Sequence, residues 1–387
     1  MEGIKATQAI QTCRTAILGG HIDQCNSCED LKVSYNSCRN RNCPKCGNLK
    51  KEQWILDRTS ELLPVPYFHT VFTVPHTLNP LFLANPKLMN SILFKAASET
   101  LSKLALDPKF LGAQIGVTMV LHTWGQNLSF HPHVHCIVPG GGLSPSGCSF
   151  MRSRKKFFIP VKILSRVFRG IFLYFLKKAF VEQKLRFTGS CLPYAEESSF
   201  LALVDALYEP DWVVYCKKPF KTSFHVVKYL SRYTHKTAIY NNRLIAMDER
   251  TVTFHYRDYK DDGKVKPLTL DAMEFMRRFM MHVLPSGFQK IRYYGFLSNA
   301  NRKTKLLKCL RLTRTPIKPN VKLTAKELIF KINRYRYFDV PLLWRDLVSD
   351  IDADSGRWVS TMKWHTFCDD ACSGEEGSMS SSVKIKR

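Results

Sequence analysis

Apolar and polar positions along the chain change period several times, and each change predicts an element. The run "YFHTVFTVP" (67–75) is rich in aromatic and β-branched residues and predicts a buried strand. A helix is expected across roughly Pro86 to Leu106. "QIGVTMVLHTW" (114–124) and "HVHCIV" (133–138) predict two strands, with "GQNLSF" turning between them; pattern and loop length make this a hairpin, ended by Gly140–Gly142. "RVFRGIFLYFLKKAFVEQKL" predicts a helix apolar on one side and basic on the other. "DWVVYCK" (211–217) predicts a strand, residues 222 to about 236 a helix, and 237–240, 243–247 and 251–257 short strands. "LDAMEFMRRFMMHVLP" reads as a further helix, and "GNLKKEQWILDRTSELLP" as one that ends before Pro64.

With 387 residues and 45% hydrophobic content, the chain is long enough for two or three domains and a substantial core. No apolar run approaches the ~18 residues that a membrane span needs. The opening "MEGIKATQAIQTCRTAILGG" lacks signal-peptide design, so a cytosolic (bacterial cytoplasmic) protein without a membrane partner is expected. No GxxxxGK[ST] loop occurs, so no nucleotide cofactor is expected. The closing "CSGEEGSMSSSVKIKR" is polar and predicts disorder.

Charge narrows the class. Lys and Arg number 58 against 32 acidic residues, a net +26. Such an excess points to a polyanionic partner, because basic side chains on phosphates release condensed counterions. From Arg302 to Tyr337 there are 12 Lys/Arg and one acid, Glu327, which marks a basic C-terminal region.

Six of the 13 cysteines, Cys13, Cys25, Cys28, Cys38, Cys43 and Cys46, fall in the first 46 residues. In a reducing compartment such clustering means metal rather than disulfides. "CNSC" (25–28) and "CPKC" (43–46) are two Cys-x-x-Cys knuckles, so Cys25, Cys28, Cys43 and Cys46 are expected to close a tetrahedral Zn²⁺ site. Four protein ligands leave no open position, so the zinc is structural. Gly47 lets the chain turn behind the second knuckle. Cys13, His21 and Cys38 remain as parts of a second zinc site.

"SFHPHVHCIVPGGG" (129–142) sets histidines at 131, 133 and 135. Alternate residues of a strand share a face, so imidazoles two apart can converge on one ion. His131 with His133 would place Pro132 inside the strand, where proline loses a ladder bond. His133 with His135 encloses only Val134, whose side chain can enter the core, so His133 and His135 are the expected pair.

"FHVVKYLSRYTHK" (224–236) places Tyr229 and Tyr233 one helical turn apart on one face. Val226, Val227 and Leu230 make a core arc, and Lys228, Arg232 and Lys236 a basic arc suited to DNA. Taken together, a histidine-bound divalent ion can polarise a phosphate, a tyrosine hydroxyl can attack it, and basic residues can hold the strand.

"HTWGQNLSFHPHVHCIVPGGGL", "KPFKTSFHVVKYLSRYTHKTAIYNNRL", "EFMRRFMMHVLPSGFQKIRYYGFL" and "SCRNRNCPKC…LLPVPYFHTVFTVPHTLNP" resemble the insertion-sequence 91-type transposases. These are rolling-circle transposases of the HUH endonuclease superfamily, named for histidine–hydrophobic–histidine. The resemblance covers about residues 9 to 300. It implies an α+β chain with a zinc-binding domain (1–62) and a ferredoxin-like antiparallel-sheet HUH nuclease domain (63–300); beyond 300 little matches the family, and charge and composition alone predict a basic helical C-terminal region (301–364) and a disordered tail (365–387). It also implies catalytic Mg²⁺ or Mn²⁺, a nucleophile pair matching Tyr229 and Tyr233, and single-stranded DNA as partner. A third polar metal ligand is implied, with Gln126 the first candidate and His122 the second. Family members commonly carry histidine where this chain has Asn42, which removes a ligand there but leaves the knuckles intact. Two other readings share parts of the pattern: a plasmid replication initiator or relaxase, and a non-catalytic zinc-ribbon DNA-binding regulator.

Overall fold

The computed structural model describes residues 2–25, 31–153, 159–217, 226–227, 231, 234, 238–259, 261–319, 321–325, 327–328, 331 and 379–385. The chain divides into two compact units, residues 3–49 with 323–387 and residues 50–322. In the first, helix α1 (Glu2–Gln11) leads into an antiparallel pair, β1 (Gly20–Cys25) and β2 (Leu31–Tyr35), with Ile22 opposite Val33. The hairpin returns the chain to its start, where the Arg14 N–H donates to Asn36 O (3.0 Å).

Helix α2 (Asn48–Thr59) leads into the second unit. Next come β3 (Tyr67–Thr73), α3 (Asn79–Ala84), α4 (Pro86–Leu106), β4 (Gly116–Trp124) and β5 (Phe130–Pro139). A short pair, β6 (Gly141–Leu143) and β7 (Phe150–Arg152), precedes α5 (Val161–Val181), α6 (Glu197–Tyr208) and β8 (Val214–Lys217). Strands β9 (Leu244–Met247), β10 (Thr251–Asp258) and β11 (Lys264–Asp271) form a three-stranded antiparallel sheet. A helix over Ala272–Met280 leads to β12 (Ile291–Gly295).

The main sheet has the order β12-β4-β5-β3-β8, antiparallel throughout. Its two faces follow the strand period of two. Val117, Met119 and Leu121 of β4, with Val134, Cys136 and Val138 of β5, enter the larger core together with α4 and α5. Phe72, Phe94, Phe168 and Phe172 are fully buried there, each worth roughly 1.5–3 kcal/mol. Val120 and Ile137 belong to the opposite face and a smaller core with Trp54, Leu63, Val226 and Val227. By register, His122, His133 and His135 share that second face.

Three expectations are corrected. Strand β5 starts at Phe130, so Pro132 lies inside it. The register shifts between His122↔His133 and Trp124↔Phe130, giving a bulge around Pro132 that spares its missing N–H a ladder position. Residues 238–240 form no strand: Ala238 and Ile239 are buried in irregular chain before the Tyr240–Arg243 turn. Strand β11 has no counterpart among the expected strands: half of "KVKPLTLD" is polar, and its Pro267 is accommodated only because the strand lies at the sheet edge. In the tail expected to be disordered, Met379–Ile385 form β13, which pairs antiparallel with the open edge of β1. Among the described residues, no helix is long and apolar enough to cross a membrane.

Candidate catalytic and metal-binding sites

The β4–β5 hairpin and β3 build a histidine group. His122 stands directly opposite His133 across the strands. One ring nitrogen from each of His122, His133 and His135 lies within 4.8 Å of the others. The Nε2 atoms of His133 and His135 are 3.1 Å apart. Two donors bound at about 2.1 Å and at right angles stand about 3.0 Å apart, so this separation fits a common ion.

Neighbouring groups determine which nitrogen each ring presents. His133 Nδ1–H donates to the carbonyl of His131 at 2.6 Å, which leaves Nε2 as the donor to an ion. His135 Nδ1 meets His69 Nε2 at 2.9 Å, with the two rings coplanar within 2°, so His135 also presents Nε2. His69, from β3, is a buried second partner that the sequence reading missed. Burial, helped by the nearby His131 and His69 charges, pushes His133 down to about 4 despite the His131 carbonyl. Burial and the three surrounding histidines hold His135 well below the usual imidazole range. Both rings are therefore neutral at pH 7, the form that binds metal.

Gln126, the first-named third ligand, is exposed on the turn after β4, and its carbonyl accepts from the Arg243 guanidinium. His122 is instead the side chain brought to ligand distance of the pair. The turn is held rigidly: Arg278 donates to Asn127 O at 3.1 Å and His282 Nε2–H to Leu128 O at 3.1 Å. Leu128 is fully buried in the left-handed region (φ 63°), so the turn stores strain that these bonds offset.

His282 accepts from Thr123 Oγ1 at 3.2 Å through Nδ1, so its neutral tautomer is satisfied at both nitrogens. Burial lowers it to about 4, opposed by the Leu128 carbonyl. A base whose folded pKa is depressed contributes stability that is complete above its unfolded value of ~6.5 and is lost as pH falls through about 4. The slope is up to about 1.4 kcal/mol per pH unit. Wild-type melting temperature should therefore drop between pH 6.5 and 4. His282→Gln should melt lower at pH 7 yet fall less steeply; an equal fall would refute the role assigned to His282.

Tyr229, Tyr233, Lys228, Arg232 and Lys236 lie outside the described residues. Their neighbours Val226, Val227, Ser231 and Thr234 are helical and buried. Val226 and Val227 pack in the core of Val120 and Ile137, on the sheet face that carries the histidines.

In the first unit, the sulfurs that come together are those of Cys13, Cys38, Cys43 and Cys46. Sγ separations are 3.6 Å for Cys13–Cys46 and Cys13–Cys43 and 3.7 Å for Cys38–Cys46. Thiolates bound tetrahedrally at ~2.3 Å stand about 3.8 Å apart, so the cluster fits Zn²⁺ with all four positions filled. Cys43 and Cys46 take their expected part. Cys25 closes β1, and Cys28 lies outside the described residues. Cys13 and Cys38, expected in a second site, complete this first one; His21 sits on β1 opposite Ser34 and is not of the group. The hairpin explains the exchange: Cys13 and Cys38 flank its base, where the Cys38 N–H donates to Cys13 Sγ. Burial would raise the Cys13 thiol, but this N–H and the neighbouring thiols bring it below its ordinary value. Burial pushes Cys43 up. Gly47, at φ 97°, makes the expected turn behind the second knuckle.

Residues 2–74 match a family model described as transposase zinc-binding domain, and residues 116–305 one described as putative transposase. The chain is 47% identical over 301 residues to the putative transposase y4qJ of Sinorhizobium fredii, covering 78% of this chain and 76% of that one. It is 32% identical over 302 residues to the transposase for insertion sequence element IS801 of Pseudomonas savastanoi pv. phaseolicola, covering 76% and 70%. No solved structure matches the chain.

Proposed function

We propose that this chain, which belongs to the insertion-sequence 91-type transposases with an N-terminal zinc-binding domain, cleaves and rejoins single-stranded DNA at the ends of its element. The observation that carries this reading is the convergence of three imidazoles on one sheet face, two of them with Nε2 fixed as donor. A divalent ion, Mg²⁺ or Mn²⁺, bound by His122, His133 and His135 would polarise the scissile phosphate. Neutral imidazole is softer than the oxygens that Mg²⁺ prefers, so Mn²⁺ is the better fit of the two. Zn²⁺ in the four-cysteine cluster is structural.

Tyr229 and Tyr233 supply the nucleophiles. A phenol oxygen attacks phosphorus, losing its proton, and the bond from phosphorus to the 3′ oxygen breaks. The products are a 5′-phosphotyrosine and a free 3′-OH. The phosphodiester bond is conserved on the protein, so rejoining needs no nucleotide cofactor. Lys228, Arg232 and Lys236 hold the strand. The burial of Val226 and Val227 on the histidine face supports a tyrosine-bearing helix at this site. The five-stranded antiparallel sheet with α4 and α5 on one face accords with a ferredoxin-like nuclease core, and the chemistry belongs in the bacterial cytoplasm, where the DNA is.

Phenylalanine removes only the hydroxyl. With oligonucleotides from the element ends and Mn²⁺, Tyr229→Phe and Tyr233→Phe should each block complete transposition. At least one single variant should still form a covalent adduct on a denaturing gel, and the double variant none. A 5′-linked adduct from the double variant would place the nucleophile elsewhere.

A further inference from the structure

At the far end of the β4–β5 hairpin from His122 and His133, the second unit has a cleft of about 540 Å³. One wall is the turn that follows β6, with Ser144, Ser146 and Gly147; the other carries Lys303, Lys305, Lys308 and Arg311. No carboxylate lines it among the described residues. Lys305 donates to the neutral amide of Gln114 at 2.9 Å, so its charge is positioned without being neutralised. Lys303, Lys308 and Arg311 are exposed.

The walls are built. Gln114 exchanges both backbone bonds with Leu143, at 2.8 and 2.9 Å. In the turn, Ser144 Oγ accepts from the Ser149 N–H, and the Gly147 N–H donates to Ser144 O. Gly147 has φ 71°, and a Cβ there would stand 3.3 Å from Lys308 Nζ, so glycine lets that ammonium close over the turn. Opposite, residues Arg302–Leu306 form one π-helical turn before the helix Leu307–Leu312. Such turns are rare and frequent at functional sites.

The geometry points to a second DNA contact: this cleft binds backbone phosphates of the strand beyond the segment being cleaved. The inference rests on the single-strand transposase reading above. Gln114 precedes His122 by eight residues of extended chain, roughly 26 Å. A phosphate in the cleft therefore lies several nucleotides from one at the histidines. Four cations facing one concavity suit the closely spaced charges of a nucleic-acid strand, and the absence of aromatic residues from the lining, among the described residues, leaves bases unread.

The test uses the full chain and two single strands carrying the element end. One stops just past the cleavage position, and the other continues about 20 nucleotides in both directions, beyond the roughly 26 Å that separates the two sites. The triple variant Lys303→Ala/Lys308→Ala/Arg311→Ala is compared with Lys87→Ala/Lys103→Ala/Lys162→Ala, which removes the same charge from α4 and α5. Fluorescence anisotropy should show the cleft variant losing affinity for the long strand, with its salt slope reduced by roughly 2–3. Adduct formation on the short strand should match wild type. A cleft variant that binds the long strand like the control, or that loses both strands equally, overturns the inference. Failure of wild type to form any adduct would instead count against the single-strand reading, while the anisotropy comparison still measures the cleft.

Discussion

Cys13→Ser or Cys38→Ser should strip zinc from the chain and unfold residues 3–49, whereas Cys25→Ser and Cys28→Ser should leave the metal in place. Four thiolates already at tetrahedral spacing hold the loop after β2 to the end of α1. Structural zinc sites couple on the order of 10–16 kcal/mol of binding to folding, far more than so small a unit can replace. Metal content per chain and the loss of a protease-resistant N-terminal fragment are the measurements. Full zinc in Cys13→Ser, or none in Cys25→Ser, would restore the two-knuckle arrangement.

His122→Ala should abolish cleavage and leave most DNA affinity, because that affinity comes from the basic surface. Gln126→Ala should cleave at close to the wild-type rate, since the bond seen there uses the backbone carbonyl. His69→Gln should fall between them, with metal affinity reduced about 10- to 100-fold as expected of a group that orients a ligand. Rates measured across a Mn²⁺ titration separate the three. Normal cleavage by His122→Ala at limiting metal would sink the three-histidine assignment.

These two tests fall where sequence pattern and spatial arrangement diverge. Periodicity identified α4 within its observed ends, and alternation put His133 and His135 on one face, because both are local properties. Cys-x-x-Cys spacing is local too, but which cysteines meet depends on where the β1–β2 hairpin returns the chain. His122 lies 11 residues before His133, and only the hairpin register puts them face to face. His69 arrives from a strand 66 residues before His135, a separation with no periodic signature. The edge strand β11 pairs along its length with β10, but its apolar alternation is only Leu268 and Leu270 after Pro267, too short a signal to read as a strand.

The bulge at Pro132 sets the phase of the histidines. A strand repeats every two residues, so a shift by one turns every side chain to the opposite face. The one extra residue opposite Thr123 absorbs a mismatch between the turn and the ladder, so that His133 and His135 emerge on the side of Val120 and Ile137 rather than among the phenylalanines. Deleting one residue between Phe130 and His133 would therefore remove the bulge and leave His133 opposite His122. Deleting both His131 and Pro132 would instead act as a frameshift in three dimensions, turning Val134 and Cys136 outward and driving the imidazoles into an apolar core.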